Sequence, residues 1–396
     1  MMDNHQQRIV IVKLGGSSIT NKSQFETANP KALQWVHEVL SQSIHPSFLS
    51  SSASSKSSTG ANNDNDNDKP SFIVIHGAGS FGHYHAKKFG LKGELQPPSK
   101  KILSESSSSF SMNHYMTGLA HTRNSVKTLN NIVVSALLSN DNAGVNTDEK
   151  DGHEMQQQRT FKSINAIGLS PCMNIPSLQA YGGDSQSLSI LIQSIKEALR
   201  AGLVPVLHGD AGLYGFFDDT DNDTKGNSNE LEGHNSTMRS GILGGDTLVE
   251  IIATSQLWDS SKGKVHHHRQ IIEKVIFLTD VDGVYTKDPN LYPDDAKLIS
   301  KIEINPHSGE IDSIKIKGGN DSGNKEIDDV QLEIVGSSHE HDVTGGLKAK
   351  LGAAVIVAQA GIDVHIVRCC SQTAEQVLRG VDNVQLGTVI TQRRIN

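Results

Sequence analysis

The sequence predicts an α/β fold, a three-layer αβα sandwich in which helices cover both faces of a mainly parallel central sheet. Short β-branched segments alternate with helical patterns along the chain, and these segments are apolar at consecutive positions. Strands that are apolar on both faces are typical of parallel sheets covered on both sides. Long polar tracts interrupt the alternation, and we interpret them as low-complexity loop insertions.

Six short runs rich in valine and isoleucine are the predicted strands: Ile9–Leu14, Phe72–His76, Val204–His208, Val275–Thr279, Val364–Val367 and Thr388–Thr391. Helical patterns lie between them. In Asp184–Arg200 the apolar residues recur with the 3.6-residue period, with Asp184 at the N-cap position and Gly202 where the helix stops. Asn29 and Pro30 likewise open a helix as its cap and first residue.

Five tracts have compositions that cannot bury enough apolar surface to offset the entropy of ordering a chain. They are rich in Ser, Asn, Asp, Gly or His and lack a helical or strand period. We expect disordered insertions at Ser41–Lys69, Asn140–Arg159, Asp218–Arg239, Asp259–Gln270 and Lys317–His341. The rest, roughly 280 residues, fits one large α/β domain. That domain spans residues 8–396.

Composition and charge exclude several classes of protein. The chain has 396 residues, with 36 basic and 44 acidic side chains and a net charge of -8, so no global positive field attracts nucleic acid or an anionic membrane. Three cysteines, Cys172, Cys369 and Cys370, are too few for a disulfide scaffold and fit a reducing compartment. No apolar run approaches the roughly 20 residues of a membrane span, and the polar N-terminus shows no signal peptide. A soluble, cytoplasmic protein is expected.

A glycine cluster or polar turn follows nearly every predicted strand. Ligands of such sheets lie beyond the carboxyl ends of the strands, where glycines let backbone N–H groups approach an anion. The turns are Gly15–Ser18, Gly77–Gly82, His208–Asp210, Gly244–Thr247, Thr279–Tyr285 and Thr344–Gly346. Together they predict a site that holds more than one phosphate group.

Two nucleotide-binding motifs are matched only in part. Gly77–Gly82 reads GxGxxG after a strand, but no second strand ending in an acid follows about 20 residues later, as the dinucleotide fingerprint requires. Gly16–Ser23 is close to a Walker A loop, but Asn21 stands where its second glycine belongs. A nicotinamide or flavin enzyme and a P-loop fold are both disfavoured.

Positive charge stands beside three of the turns. Lys13 is near the end of the first strand, Lys22 follows the first glycine turn, and Lys350 lies about one turn into the helix that Thr344–Gly346 opens. A single lysine is most often a solvated surface charge, whereas three lysines beside glycine turns at strand ends indicate phosphate binding. Asp246 begins a helix, where the helix dipole by itself also favours an acid.

These residues resemble the amino acid kinase fold family and, within it, the isopentenyl phosphate kinase branch. The family motifs are Lys13–Ser17, Gly244–Thr247, Thr279–Pro289 and Thr344–Lys350. The branch motifs are Lys13–Lys22, His76–His83 and Lys88–Leu91. The resemblance spans Ile9 to Ile390, apart from the insertions.

The resemblance implies ATP-dependent phosphorylation of isopentenyl phosphate to isopentenyl diphosphate, in isoprenoid biosynthesis on the mevalonate pathway. Since the acceptor is already a phosphate, no general base is needed, and the task is to hold two anions in line. Mg²⁺ would be carried with ATP, without a metal site of its own. A homodimer is implied, as are a phosphate-acceptor lobe over residues 8–216 and an ATP-binding lobe over residues 240–396.

The resemblance also implies a role for each site residue. Lys13 and Lys350 would neutralise the transferred phosphoryl group, with Lys22 assisting. Asp246 would orient Lys13 and Lys350, and His83 would hydrogen-bond the acceptor phosphate. The residues expected to contact ATP are Lys13, Gly15, Gly16, Ser17, Gly79, Asp280, Tyr285, Asp288, Gly346 and Lys350.

Five residues are expected to contact the acceptor. Ala78, His83 and Gly209 would contact its phosphate end. Thr117 and Ala120 lie on the predicted helix Met112–Leu138, where they would line a pocket for the isoprenoid tail. Core packing is an equally good role for those two.

Two alternatives stay open. The first is a kinase of the same fold for another small acceptor, such as UMP, glutamate or fosfomycin, although a carboxylate would need a different partner where His83 stands. The second is a non-catalytic, nucleotide-binding regulatory protein. Such a protein would be expected to have lost Lys13, Lys350 or Asp246, and all three are present.

Overall fold

The chain is described by a computed structural model. It covers residues 8–49, 69–91, 108–139, 161–171, 186–218, 236–258, 272–317, 346–381, 384 and 386–393. Among these residues, no helix has both the length and the apolar character that crossing a bilayer requires.

Twelve strands are found in the described ranges. In chain order they are β1 (Ile9–Leu14), β2 (Ser71–His76), β3 (Ala166–Leu169), β4 (Val204–His208), β5 (Asp210–Asp218), β6 (Ser236–Leu243), β7 (Ile272–Thr279), β8 (Val284–Tyr285), β9 (Leu298–Ile304), β10 (Ile311–Ile316), β11 (Asp363–Arg368) and β12 (Thr388–Gln392). Ten form one sheet in the order β10-β9-β12-β11-β7-β1-β2-β4-β3, with β8 paired to β9. From β11 to β3 every pairing is parallel. Strands β5 and β6 form a separate antiparallel hairpin.

Eight helices are seen in the same ranges: α1 (Gly16–Ile19), α2 (Pro30–Ser43), α3 (Gly79–Lys88), α4 (Ser108–Leu138), α5 (Gln186–Arg200), α6 (Gly245–Ala253), α7 (Gly346–Gln359) and α8 (Gln372–Leu378). They pack in groups, with α2 against α4 and α8, and α6 against α7. Every residue of β1, β2 and β4 is buried, because the sheet is covered on both faces. The predicted three-layer α/β fold is confirmed.

The predicted helix boundaries hold where they can be compared. The side chain of Asn29 accepts a hydrogen bond from the N–H of Ala32 at 3.3 Å, and Pro30 is the first residue of α2. Gly202 ends α5 with φ at +72°, a left-handed conformation that suits glycine. The expected N-cap Asp184 lies outside the described residues.

All six predicted strands are confirmed, but the edges of the sheet and the separate hairpin were not predicted. The missed strands are β3, the hairpin of β5 and β6, and β8 to β10. In β10 every residue is exposed or half-buried, and β9 is partly exposed as well. Such strands lack the continuous apolar run on which the prediction depends.

Two of the predicted insertions have wrong boundaries. Helix α2 continues through Ser43, and a 3₁₀ turn over Pro46–Phe48 buries the Phe48 side chain to 1% exposure, although this stretch is rich in serine. Residues 236–239 belong to β6 and Asp218 to β5. The remaining parts of the predicted insertions, residues 50–68, 140–159, 219–235, 259–270 and 318–341, lie outside the described residues.

The strand register brings the glycine turns to one edge of the sheet. Leu14 of β1 is paired with His76 of β2 and with Leu278 of β7, and His76 is paired with His208 of β4. Strands β1, β2, β4 and β7 therefore end at the same level. The turns that follow them are neighbours in space although they are far apart in the chain.

Candidate active site

A buried lysine lies at the centre of this edge. Lys13 is the fifth residue of β1 and is 4% exposed, and its ammonium group forms an ion pair with the carboxylate of Asp246. Asp246 is the second residue of α6, where the helix dipole also favours a carboxylate. A buried ammonium group is stable only with such a partner. The pair therefore holds one positive charge in a fixed place beyond the end of β1.

Glycines from two turns pack against Lys13, and Gly16 of a third turn packs against the turn that contains Gly77 and Gly79. A Cβ atom at Gly245 would lie 2.8 Å from Lys13 Cε, and a Cβ atom at Gly77 would lie 3.8 Å from Lys13 Nζ. A Cβ atom at Gly16 would lie 2.4 Å from the backbone nitrogen of Gly79. Side chains are therefore excluded, and backbone N–H groups lie near a single ammonium group. Such a concave arrangement of N–H groups and positive charge suits phosphate oxygens.

A second group of charges lies on the other side of the first turn. The ammonium group of Lys22 is 2.9 Å from the carboxylate of Asp280, which directly follows β7. Burial works against ionisation of Asp280, but the hydrogen bond and charge of Lys22, with a contribution from Lys350, lower its pKa below the usual value. Lys350 is the fifth residue of α7, as predicted, and Gly346 is the first. The structure thus brings Lys22, Asp280 and Lys350 into one electrostatic neighbourhood.

The first glycine turn is tied to β7, which carries Asp280 at its end. The N–H of Gly15 donates to the carbonyl oxygen of Leu278 at 2.8 Å, and Gly16 and Ser17 then begin α1. Ser17 is half-buried. The predicted ATP-contacting residues of this turn are therefore anchored to β7, and in the chain they stand between Lys13 and Lys22.

The turn after β7 is held by contacts within the turn and by Arg368, the last residue of β11. The hydroxyl of Tyr285 donates to the carboxylate of Asp282 at 3.2 Å, and the guanidinium of Arg368 donates to the same carboxylate at 2.7 and 3.3 Å. The hydrogen bond from Arg368 lowers the pKa of Asp282. Asp288 accepts from the N–H of Asn290 at 2.8 Å. Tyr285 and Asp288, which we expected beside the nucleotide, thus also shape this turn.

Two buried histidines hold the opposite side of the site. His76 ends β2 and His208 ends β4, and their ring centroids lie 5.9 Å apart. Each Nδ1–H donates to the carbonyl of the next residue, Gly77 at 3.0 Å and Gly209 at 2.9 Å. The N–H of Gly209 donates to the carbonyl of His76 at 3.0 Å. The two glycine turns are therefore tied to each other and to the strands that precede them.

Both histidines are neutral at physiological pH. Burial and the neighbouring His208 lower the pKa of His76 to about 3. Burial lowers the pKa of His208 to about 4, although its hydrogen bond to Gly209 acts in the opposite direction. Neutral rings add no charge beside the Lys13 ammonium group and serve to position the backbone.

We expect these histidines to make the protein less stable in mild acid. The unfolded chain binds their protons below about pH 6.5 and the folded chain does not, so the free energy of unfolding falls as the pH falls towards 4. The expected loss between pH 7 and pH 5 is about 2 kcal/mol per histidine. The free energy of unfolding, measured in urea at pH 7 and pH 5 for the unsubstituted protein and for His208→Gln, checks this loss. An identical pH dependence for the variant and the unsubstituted protein would contradict the assignment.

A buried ion pair supports the turn after β4. Asp210 has a fully buried side chain, and Arg123 of α4 lies 2.9 Å from its Oδ2 atom. The hydroxyl of Ser170 donates to the same oxygen at 3.1 Å, and the N–H of Ala211 donates to Oδ1 at 2.8 Å. From the sequence, Gly209 was the residue of this turn expected at the acceptor, and the roles of His76, Asp210 and Arg123 were not predicted. An acid in the glycine turn after a buried strand was the available signal for Asp210, whereas nothing indicated its partner.

Four of the five expected acceptor residues lie on or directly before α3 and α4, and Gly209 follows β4. Ala78 is the N-cap residue of α3 and His83 is its fifth residue, and both are half-buried. Thr117 is half-buried, and its hydroxyl donates to the carbonyl of Asn113 at 2.8 Å. Ala120 is exposed, so a core-packing role does not apply to it.

A small apolar cluster separate from the main core lies between α3, α4 and the hairpin of β5 and β6. Its buried members come from all three elements or directly follow them, and they are Ala86, Leu91, Leu119, Ala211 and Ile242. Phe89, Tyr115 and Met116 pack against them and are partly buried. The cluster offers apolar surface near the half-buried Thr117.

Comparison with known proteins finds relatives that match most of the chain. A protein of Arabidopsis thaliana named isopentenyl phosphate kinase is 29% identical over 399 residues, covering 96% of this chain and 94% of that protein. One of the same name from Methanothermobacter thermautotrophicus is 26% identical over 359 residues, covering 91% and 90%. A crystal structure of isopentenyl phosphate kinase superposes with a TM-score of 0.55 at 22% identity, covering 97% of this chain and all of that one. At that identity the superposition supports the fold.

The family itself is identified by its sequence profile. The profile of the amino acid kinase family matches residues 8–256 and 270–368. The matched ranges contain Lys13, the turns after β1, β2, β4 and β7, and Lys350. The resemblance that the motifs indicated is confirmed, and the chain belongs to the amino acid kinase family.

Proposed function

We propose that the protein transfers the terminal phosphoryl group of ATP to isopentenyl phosphate, forming isopentenyl diphosphate and ADP. The observation that carries the proposal is the convergence of glycine turns on the Lys13–Asp246 pair, with Lys22, Asp280 and Lys350 beside it. Relatives that match more than nine-tenths of the chain are named for this reaction. A protein that merely stored nucleotide would not need a buried ammonium group at the junction of two anion-binding turns.

The arrangement suits in-line transfer between two anions. The turns after β2 and β4 would hold the acceptor phosphate, and the turn after β1, with Lys22 and Lys350, would hold the ATP phosphates. Lys13 lies between these two groups of turns, where negative charge accumulates as the phosphoryl group moves. Because Asp246 fixes its ammonium group, little reorganisation is needed during the reaction. The main task of the protein is therefore positioning and charge stabilisation.

Acid–base catalysis is not needed for this acceptor. An alkyl phosphate already carries an ionised oxygen as the nucleophile, and the two buried histidines stay neutral near pH 7. His83, one turn into α3, is proposed to donate a hydrogen bond to the acceptor phosphate. The small apolar cluster, together with Thr117 and Ala120, is proposed to receive the isoprenoid tail.

We propose Mg²⁺ as the ion that accompanies ATP. Within the described ranges no group of three or more His, Cys, Asp or Glu side chains could hold a metal ion. Asp246 and Asp280, the acids paired with Lys13 and Lys22, are both engaged by lysines. Phosphate oxygens and water would thus supply most ligands, and the bound ion would neutralise phosphate charge.

Three further proposals follow from the family resemblance and the composition. They are a homodimer, a cytoplasmic location on the mevalonate pathway, and a division of the domain into an acceptor lobe and an ATP-binding lobe. The central sheet continues from β7 directly to β1, so the two proposed lobes share it. Sedimentation equilibrium of the purified chain tests the homodimer.

Substitution of His83 tests the acceptor side of the site. His83→Ala is expected to lower kcat/KM for isopentenyl phosphate by about 10²-fold, because the acceptor phosphate loses a hydrogen-bond donor that holds it in line with the transferred group. His83→Gln retains a donor and should recover part of the loss, and the exposed His307→Ala is the matched control. ATP binding, measured by titration calorimetry, should not change. Near-normal turnover by His83→Ala would remove the proposed role.

A further inference from the structure

Two adjacent cysteines lie immediately beyond β11. The Sγ atoms of Cys369 and Cys370 are 3.8 Å apart. Cys369 is buried and Cys370 is exposed. Cys370 has φ at +60°, a left-handed conformation that is uncommon for a residue with a side chain. The described chain thus holds two thiols together, one open to solvent and one behind it, on a strained backbone.

The two thiols are chemically unequal. The hydrogen bond from Cys369 stabilises a thiolate on Cys370 and lowers the pKa of Cys370. The same hydrogen bond, together with burial, raises the pKa of Cys369. An exposed sulfur with thiolate character and a protonated sulfur beside it are the attacking and resolving groups of thiol–disulfide exchange.

The pair is connected to the turn after β7. The N–H of Cys369 donates to the carbonyl of Thr279 at 2.7 Å. Arg368, the preceding residue, holds both oxygens of Asp282. A change of backbone conformation at Cys369 and Cys370 would therefore act on Thr279 and Asp282, which flank Asp280.

We propose that Cys369 and Cys370 are a dithiol modification site, oxidised by small-molecule disulfides to an intramolecular disulfide that weakens ATP binding. The Cys370 thiolate attacks the small disulfide, forms a mixed disulfide and releases one thiolate. The Cys369 sulfur then loses its proton, attacks the Cys370 sulfur and releases the second small thiolate, which takes up a proton. Two protein thiols are oxidised by two electrons, and one small disulfide is reduced to two thiols.

Closure needs movement at a backbone that is already strained. A disulfide bond is about 2.05 Å long, so the two sulfurs must approach each other from their present separation. The backbone movement that brings the sulfurs together would occur in the peptide between Cys369 and Cys370 and in the neighbouring residues. The hydrogen bond to Thr279 and the ion pair between Arg368 and Asp282 are the contacts that would transmit it.

Intact-mass measurement tests the chemistry in the full chain. Cys172→Ser is the background, because it leaves this pair as the remaining cysteines. With glutathione disulfide, this variant should lose the mass of two hydrogen atoms, carry no glutathione and regain its mass with dithiothreitol. Cys172→Ser/Cys369→Ser should instead stop at a glutathione adduct on Cys370. A stable adduct with both cysteines present, or no reaction, would overturn the proposal.

Steady-state kinetics test whether the disulfide weakens ATP binding, a consequence that rests on the proposed function. Oxidation of the Cys172→Ser variant should raise KM for ATP about tenfold, with a smaller change in KM for the acceptor, and dithiothreitol should reverse it. The triple variant with serine at all three positions should not respond to glutathione disulfide. An unchanged KM for ATP after complete oxidation would refute the coupling to the nucleotide turn. If no acceptor is turned over, the proposed function fails while the mass measurement still decides the modification.

Discussion

Lys13→Met is expected to lower kcat by about 10³-fold and to be the most damaging single substitution at the site. Lys13 is the buried ammonium group between the two sets of glycine turns, and methionine retains its approximate length without its charge. The transferred phosphoryl group then loses a fixed positive charge in a water-poor position. Lys31→Met, on the exposed surface of α2, is the matched control.

The same substitution should also destabilise the fold. Loss of Lys13 leaves Asp246, whose side chain is 19% exposed, without its ion-pair partner. The expected cost is about 2 to 3 kcal/mol. Lys13→Met/Asp246→Asn should recover much of that stability and none of the turnover. Urea unfolding and steady-state kinetics of Lys13→Met, Lys31→Met and the double variant separate the loss of stability from the loss of turnover. Full activity of Lys13→Met would refute the central role of this lysine.

Gly79→Ala is expected to lower kcat/KM by about 10²-fold by separating the first two glycine turns. A Cβ atom there would lie 2.2 Å from Thr20 Oγ1 and 2.7 Å from the carbonyl oxygen of Gly16. The φ angle of Gly79 is +51°, so alanine is also strained in this backbone conformation. The turns must move apart to accommodate the methyl group, and the N–H groups around Lys13 move with them.

Gly352→Ala in α7 is the matched control for this steric argument. A Cβ atom at Gly352 would meet nothing within 4 Å, although the residue lies on the same helix as Lys350. This variant should keep its activity and gain about 0.5 to 1 kcal/mol of stability, because alanine is the better helix former. Equal activity of Gly79→Ala and Gly352→Ala would contradict the close packing of the two turns.

The central strands could be predicted because their sequence pattern is strong. A strand such as Ile9–Leu14, buried at every position, is a continuous apolar run that few other structures produce. Strands at the edge, such as Ile311–Ile316, carry polar residues on their open faces, so the same criterion misses them. At Ser41 the serine-rich composition concealed the last turn of α2 and the buried Phe48, because composition averages over single anchoring residues.

The site was predictable where its residues adjoin a glycine turn in the chain. Lys13 and Asp246 each lie beside such a turn, and the structure joins them in one ion pair. The support from Arg123 to Asp210 depends on a helix and a turn that meet only in three dimensions. The neutral state of His76 likewise follows from burial, which a sequence does not display. Local motifs therefore indicate which residues carry the chemistry, and tertiary packing determines which other residues position them.

The central claim is tested most directly by ADP release with Mg²⁺-ATP and a panel of acceptors. The panel is isopentenyl phosphate, dimethylallyl phosphate, geranyl phosphate, UMP, glutamate and fosfomycin. We predict turnover with the short isoprenyl phosphates and none with UMP, glutamate or fosfomycin, together with its loss in Lys13→Met. Turnover confined to UMP, glutamate or fosfomycin, or ATP binding without turnover of any acceptor, would contradict the account.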